Sequence, residues 1–151
     1  FVVLSSFTGN NLDALIEEIY EFLPEGSLWF PQDMDTDQPL EMMLSEVIRE
    51  KIFRHFDQEV PYAIGVKIAD MYESDNNVLH IYADVFTERE SQKSMVVGKG
   101  GQAIKKIGIQ AREDLEKILL QKIYLDIKVK VKSRWRGDYE SIIDFGYAEE
   151  S

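Results

Sequence analysis

Cysteine is absent from this chain. That excludes a disulfide framework and a thiolate zinc centre, and it fits a reducing compartment. Long apolar runs are absent as well; none approaches the roughly 20 residues that a membrane-spanning helix needs. Histidine is scarce: the two residues, His55 and His80, lie far apart and neither has a motif partner, so surface or structural roles are expected for them. The chain opens Phe1-Val2-Val3-Leu4, without methionine or a basic leader segment. This reads as a piece of a longer protein and not as a secreted precursor.

What is present describes a folded chain. Of 151 residues, 44% are apolar and 30% charged, which is the composition of one ordinary domain or two small ones. The net charge of −11 argues against indiscriminate nucleic-acid binding. The charge is unevenly spread. Residues 1–90 carry 5 basic and 19 acidic side chains, residues 91–136 carry 12 basic and 4 acidic, and residues 137–151 carry 5 acidic and no basic ones. A basic segment inside an acidic chain is either a focused anion site or a solvated helix face.

Periodicity orders the chain. Leu12, Leu15, Ile16, Ile19, Tyr20 and Leu23 follow helical spacing after the turn cluster Thr8-Gly9-Asn10-Asn11, with Asn10 or Asn11 as the expected cap. Phe1–Leu4 reads as the end of a strand. Residues 24–39 form a linker with three prolines and a glycine, in which Trp29 and Phe30 are expected anchors. A helix is predicted over 39–56, capped by Asp37, with Leu44, Val47, Ile48 and Ile52 on its apolar stripe. Two alternating runs follow, Tyr62–Ala69 and Leu79–Phe86, joined by the turn Ser74–Asn77. Then come a short helix over 91–97, a glycine loop, and a helix over 102–120. A last strand over 123–132 puts Ile123, Leu125, Ile127 and Val129 on one face and Lys128, Lys130 and Lys132 on the other. Each strand has one greasy face, so the expected fold is α+β, a three-stranded sheet covered on one side by three helices. Asp33, Asp35 and Asp37 imitate a calcium loop, but Gln38 and Leu44 stand where its glycine and last ligand belong. They are expected to be linker acids, and no metal site is predicted.

The chemistry-bearing stretch is Val96-Val97-Gly98-Lys99-Gly100-Gly101-Gln102-Ala103-Ile104-Lys105-Lys106-Ile107. Glycines permit positive φ and close backbone approach. The loop opens a helix, whose first N–H groups and dipole favour an anion, and Lys99, Lys105 and Lys106 add charge. A nucleotide-triphosphatase loop is excluded, because Gly100 follows Lys99 where serine or threonine is required and Lys93 takes the place of the first glycine. Gly98, Gly100 and Ala103 satisfy a dinucleotide fingerprint literally, but the residues before them are polar where that motif needs a buried strand. The reading with most support is a KH module, in which a GXXG loop between two helices clamps single-stranded nucleic acid. Its expected groove is floored by Val96, Val97, Ile104 and Ile107 around the loop Gly98–Gly101, with the lysines at its rim and the last strand as the facing wall. A protein-interaction domain of the same shape, or a KH-type transcription or ribosomal protein, stays open.

Longer blocks carry a family resemblance. Thr36–Pro39 with Ser45–Ile52, Glu88–Lys93 with Val97–Gly101, Trp135-Arg136, and Gly146-Tyr147 resemble the C-terminal part of the bacterial Era GTPase family, over nearly the whole chain. The resemblance implies a type II KH-like domain over 39–135 and a C-terminal tail over 136–151. It implies a trailing strand and helix of an α/β GTPase domain over 1–26 and a linker over 27–38. It makes Ser5 and Ser6 a remnant of the guanine-contact turn, with Ser6 where the family usually has alanine. The family's phosphate loop, magnesium ligands and Asn-Lys-x-Asp guanine reader are absent. This chain alone is therefore expected to be no enzyme and to hold no cofactor, while GTP and magnesium are implied for the rest of the protein. The implied partner is single-stranded RNA at the 3′ end of 16S rRNA in small-subunit assembly. The implied setting is a cytoplasmic monomer with peripheral association at the inner membrane face. Trp135 and Tyr147 either stack bases or pack.

Overall fold

A computed structural model of the chain describes residues 1–27, 30–31, 36–56 and 63–148. Trp29, Asp33, Asp35 and Tyr62, for which the sequence suggested roles, lie outside the described residues. The chain divides into two compact units, Phe1–Asp37 and Gln38–Ser151.

In the first unit, residues 1–4 are irregular, and among the described residues the only strand-type pairing is an isolated bridge between Ser5 and Asn10. The expected strand is not formed there, since a strand needs a neighbour to satisfy its backbone and none lies beside it among the described residues. Helix α1 (Leu12–Phe22) forms as its spacing requires. Its cap position is Asn11 at φ 63°, without a side-chain capping bond; the Asn11 amide instead donates to the Val3 carbonyl at 2.8 Å.

The second unit runs α2 (Leu40–His55), β1 (Gly65–Glu73), β2 (Val78–Thr87), α3 (Glu90–Val97), α4 (Gln102–Leu119), β3 (Lys122–Val131) and α5 (Tyr139–Asp144). Pro39 takes the cap position before α2, where its missing N–H costs nothing, and makes no side-chain capping bond; Asp37 is not in the cap position. The sheet has the order β1-β2-β3. β1 and β2 are antiparallel, as the tight turn at Ser74–Asn77 dictates, and β2 and β3 are parallel. A parallel pair needs a long crossover, and the α3–loop–α4 segment supplies it. The core lies on one face of the sheet. Ile48 and Ile52 of α2, Val66, Ala83 and Val85 of the strands, Val96 of α3, and Ile107 and Ala111 of α4 form one cluster. Leu44, Leu79, Ile81, Leu115 and Ile123 form a second. Three helices thus cover one side of three strands, as the alternation predicted.

Part of the opposite face is covered by the segment after β3. The Trp135 indole N–H donates to the Ala63 carbonyl at 3.1 Å, and Phe145 stacks on Phe86 with centroids 4.5 Å apart. The Val66 N–H donates to the Tyr147 hydroxyl at 3.2 Å, and Lys67 pairs with Asp144. Trp135 is buried. Of the two roles open to Trp135 and Tyr147, the structure shows packing.

Candidate nucleic-acid interface

The glycine loop is held from both sides. At the start of α3 the Gln92 side-chain oxygen accepts the N–H groups of Glu88 and Arg89, each at 3.0 Å. The Glu88 carboxylate receives Arg136 at 2.6 Å, which holds its pKa below the usual carboxylate range. Gly98 ends α3 at φ 72°, its N–H reaching the Ser94 carbonyl at 2.9 Å. A Cβ there would lie 2.6 Å from the Ala103 Cβ, so both conformation and space demand glycine. Gly100 and Gly101 also have positive φ, of 59° and 78°, but a Cβ on either would meet open space. The tip of the loop is therefore bare backbone that a ligand can approach. Lys99 stands exposed on it, and no side chain among the described residues caps α4. What precedes the loop is a helix and not a buried strand, so the dinucleotide fingerprint is overturned on its own structural condition.

From the loop a groove of about 400 Å³ runs between α4 and the free edge of β3. Ile104, Lys105, Gly108, Ile109 and Arg112 line one wall, and residues 123–127 line the other. A Cβ at Gly108 would lie 3.6 Å from Ile127, an ordinary van der Waals contact, so alanine would fit there without moving helix or strand. The expected facing wall, the last strand, is where the sequence put it.

The expected groove residues are placed less uniformly. Ile104 and Lys105 line the groove, while Lys99, Gly100 and Gly101 stand in the loop that precedes α4, outside its lining. Val97 is half-buried beside the loop. Val96 and Ile107 are fully buried in the core and form no groove floor; their helix faces turn to the sheet. Lys106 leaves the groove altogether. One helical step turns a side chain by about 100°, and Lys106 lines a separate depression with Lys51, Arg54, His55, Gln110, Glu113 and Asp114. Lys130 is engaged by Asp84 at 2.5 Å, and Lys132 stands over the Phe145 ring. Arg112 and Asp126 were missed; only the pairing of α4 with β3 reveals them. Ser5 and Ser6 lie in the tight loop of the first unit, where the Ser5 carbonyl accepts the Gly9 N–H at 2.9 Å. Among the described residues no group of acidic or histidine side chains could hold a metal, and no helix is long and apolar enough to cross a membrane.

The family model of the KH domain matches residues 59–136. The chain belongs to the KH domain family. Its α+β fold, mixed three-stranded sheet and helix–GXXG–helix loop are those of a KH domain. Among whole proteins it is similar to the GTPase Era of Halothermothrix orenii, 44% identical over 97% of this chain and 50% of the relative. It is 47% identical to the GTPase Era of Thermotoga maritima, over 88% of this chain and 44% of that protein. The chain thus spans about half the length of the curated relatives it matches. A crystal structure of an Aquifex aeolicus Era variant bound to GDP and aluminium fluoride superposes with a TM-score of 0.92 at 42% identity, over 96% of this chain and 49% of that one. So does a structure of Era with MgGDPNP and nucleotides 1506–1542 of 16S ribosomal RNA, with the same TM-score, identity and coverage.

Proposed function

We propose that this chain is the C-terminal part of an Era-type GTPase and that its KH domain binds single-stranded RNA in the α4/β3 groove. The observation that carries the reading is the bare Gly100–Gly101 backbone at the uncapped start of α4, opening into a groove with a free strand edge. Loop N–H groups and Lys99 hold phosphates, which fixes position without reading sequence. The edge of β3 and the groove side chains meet the bases, over about four nucleotides. Asp126 is acceptor-only and suits the exocyclic amines of cytosine or adenine. The Era structure holding 16S rRNA nucleotides supports a target at the 3′ end of that RNA, and hence a cytoplasmic role in small-subunit assembly. GTP and magnesium belong to the part of the protein outside this chain, where Ser5 and Ser6 would close the guanine site; the chain by itself is assigned no catalysis.

The test replaces Lys99 and Gly100 together by aspartate. Negative charge then stands where the phosphate belongs. RNA affinity, measured by fluorescence anisotropy with a single strand matching the 16S rRNA 3′ end, should fall at least tenfold, about 1.4 kcal/mol, with circular dichroism unchanged. A folded double variant that binds RNA like the parent overturns the assignment.

A further inference from the structure

Several parts of the second unit converge at the start of α3. Thr87, which ends β2, is fully buried, and its carbonyl accepts the Lys132 N–H at 2.8 Å. Its hydroxyl lies 3.3 Å from the Arg89 carbonyl and 3.4 Å from that of Lys130. The next residue, Glu88, meets Arg136 at 2.6 Å. Arg136 belongs to the short turn Trp135–Gly137 that follows β3, and the Trp135 bond to the Ala63 carbonyl ties that turn down. The Glu88 side chain is 17% exposed and that of Arg136 49%. The carboxylate is thus sunk among the elements, and the guanidinium reaches it from outside.

Helix α3 has few other anchors. Of its eight residues only Val96 is buried, and Val96 stands at the loop end. A short helix held by one core side chain can tilt about it, unless its far end is fixed. The tilt matters because the loop continues α3 without a break. The Gly98 N–H donates to the Ser94 carbonyl at 2.9 Å, and the Gly101 N–H to the Gly98 carbonyl at 3.2 Å. On the other side Gly98 is pressed against Ala103 at the start of α4. The direction of the bare Gly100–Gly101 backbone therefore follows the angle between α3 and α4.

We infer that Arg136 is a positioning residue for RNA binding: by holding the Glu88 carboxylate it fixes the tilt of α3, and through α3 the aim of the glycine loop at the RNA phosphate. The inference rests on the proposed RNA-binding reading and extends it to a residue outside the groove. Backbone donors that are already aimed lose less freedom on binding than donors that must first be ordered. A half-exposed ion pair adds little to global stability, so its loss shows in RNA affinity before it shows in unfolding.

The experiment uses the whole chain and a single strand matching the 16S rRNA 3′ end. Arg136→Gln and Glu88→Gln each break the pair. Each should weaken binding about fivefold, with circular dichroism unchanged and the urea midpoint close to that of the unaltered chain. The double replacement should cost no more than either alone, because the two residues act as one unit. Arg136→Lys, which keeps a point charge for the carboxylate, should recover most of the affinity. Salt dependence separates positioning from direct contact. Arg136→Gln should keep the slope of log affinity against log salt, whereas a lost phosphate contact lowers it by about one unit. Glu88→Gln separates them again, since a guanidinium that itself met RNA would be released and binding would tighten. Lys67→Gln is the charge-matched control: it breaks the ion pair with Asp144 in the same C-terminal segment, away from α3, and should bind like the unaltered chain. If Arg136→Gln does not fold, Glu88→Gln carries the test. The inference is overturned if folded Glu88→Gln binds as well as the unaltered chain or better, if the two losses add, if Arg136→Gln lowers the slope by a full unit, or if Lys67→Gln costs as much. Those results leave the groove reading standing when the Lys99 and Gly100 double replacement still abolishes binding; if that variant binds normally, the groove reading has failed instead.

Discussion

At the residue scale, the three glycines of the loop differ in what they are for. Gly98 serves the fold, because a Cβ would strike Ala103, whereas Gly100 and Gly101 leave space for a ligand. Gly98→Ala is expected to cost about 2–3 kcal/mol, from a left-handed backbone and a clash together. Gly100→Ala should cost only about 1 kcal/mol, the conformational part. Urea denaturation of the two variants measures the difference. A second residue-scale effect concerns the buried Lys51. Its ammonium meets the Asp114 carboxylate, which also receives Lys117 at 2.9 Å and which lowers its own pKa to about 2 through these bonds, Lys51 foremost. A carboxylate whose folded pKa lies below its usual 3.8 stabilises the fold above that pH and loses the contribution as pH falls toward 2. Lys51 is raised by the same contact, so its contribution persists through neutral pH. Asp114→Asn should therefore make the urea midpoint less dependent on pH between 4 and 2, and an unchanged slope would show that the pair does not couple to folding.

At the element scale, the segment after β3 is a strap over the open sheet face and not a loose tail. Its anchor is a gap: Gly65 in β1 has no side chain, and a Cβ there would lie 2.8 Å from the Phe145 ring and 3.3 Å from Trp135. Strand propensity alone says that alanine at a strand glycine stabilises. The packing says the reverse, and Gly65→Ala should cost about 1–3 kcal/mol by overpacking and change the tryptophan emission as Trp135 shifts. Gly137→Ala, with nothing within 4 Å of its Cβ, is the matched control and should be close to neutral. The strap also explains two blocks of the family resemblance in physical terms. Arg136 fastens it to Glu88 at the start of α3, and Tyr147 accepts the Val66 N–H.

At the scale of the whole molecule, the acidic average and the basic segment meet at one groove. Lys105 and Arg112 line it, Lys99 stands exposed on the loop before α4, Lys106 faces elsewhere and Lys130 is occupied by Asp84. The lysines are therefore not interchangeable. Lys105→Ala should reduce the slope of log affinity against log salt by about one unit across all RNA sequences. Lys106→Ala and Lys130→Ala should each change it by well under one. Titrations at two salt concentrations, with matched and scrambled strands, check the ranking.

The sequence by itself determined the order of the elements, the face of each strand that is buried, and the glycine loop between two helices. These are local properties: Leu79, Ile81, Ala83 and Val85 alternate whatever surrounds them, and glycine adopts the positive φ of Gly98, Gly100 and Gly101 at little cost. Local pattern could not say which side of α4 becomes a wall. Val96 and Ile107 looked like groove floor because they flank the loop, but the sheet claims them for the core. Lys105 and Lys106 looked like a pair because they are neighbours in the chain, yet a turn of about 100° separates them. Asp37 looked like a cap, but Pro39 already sets the start of α2. The tertiary structure alone decided that β3 is a free edge beside α4, that Arg112 and Asp126 reach the groove, and that Arg136 meets Glu88 at the start of α3. Each of these depends on strand register and on which element packs against which. Those are settled by contacts between residues far apart in sequence, which no period of 2 or 3.6 encodes.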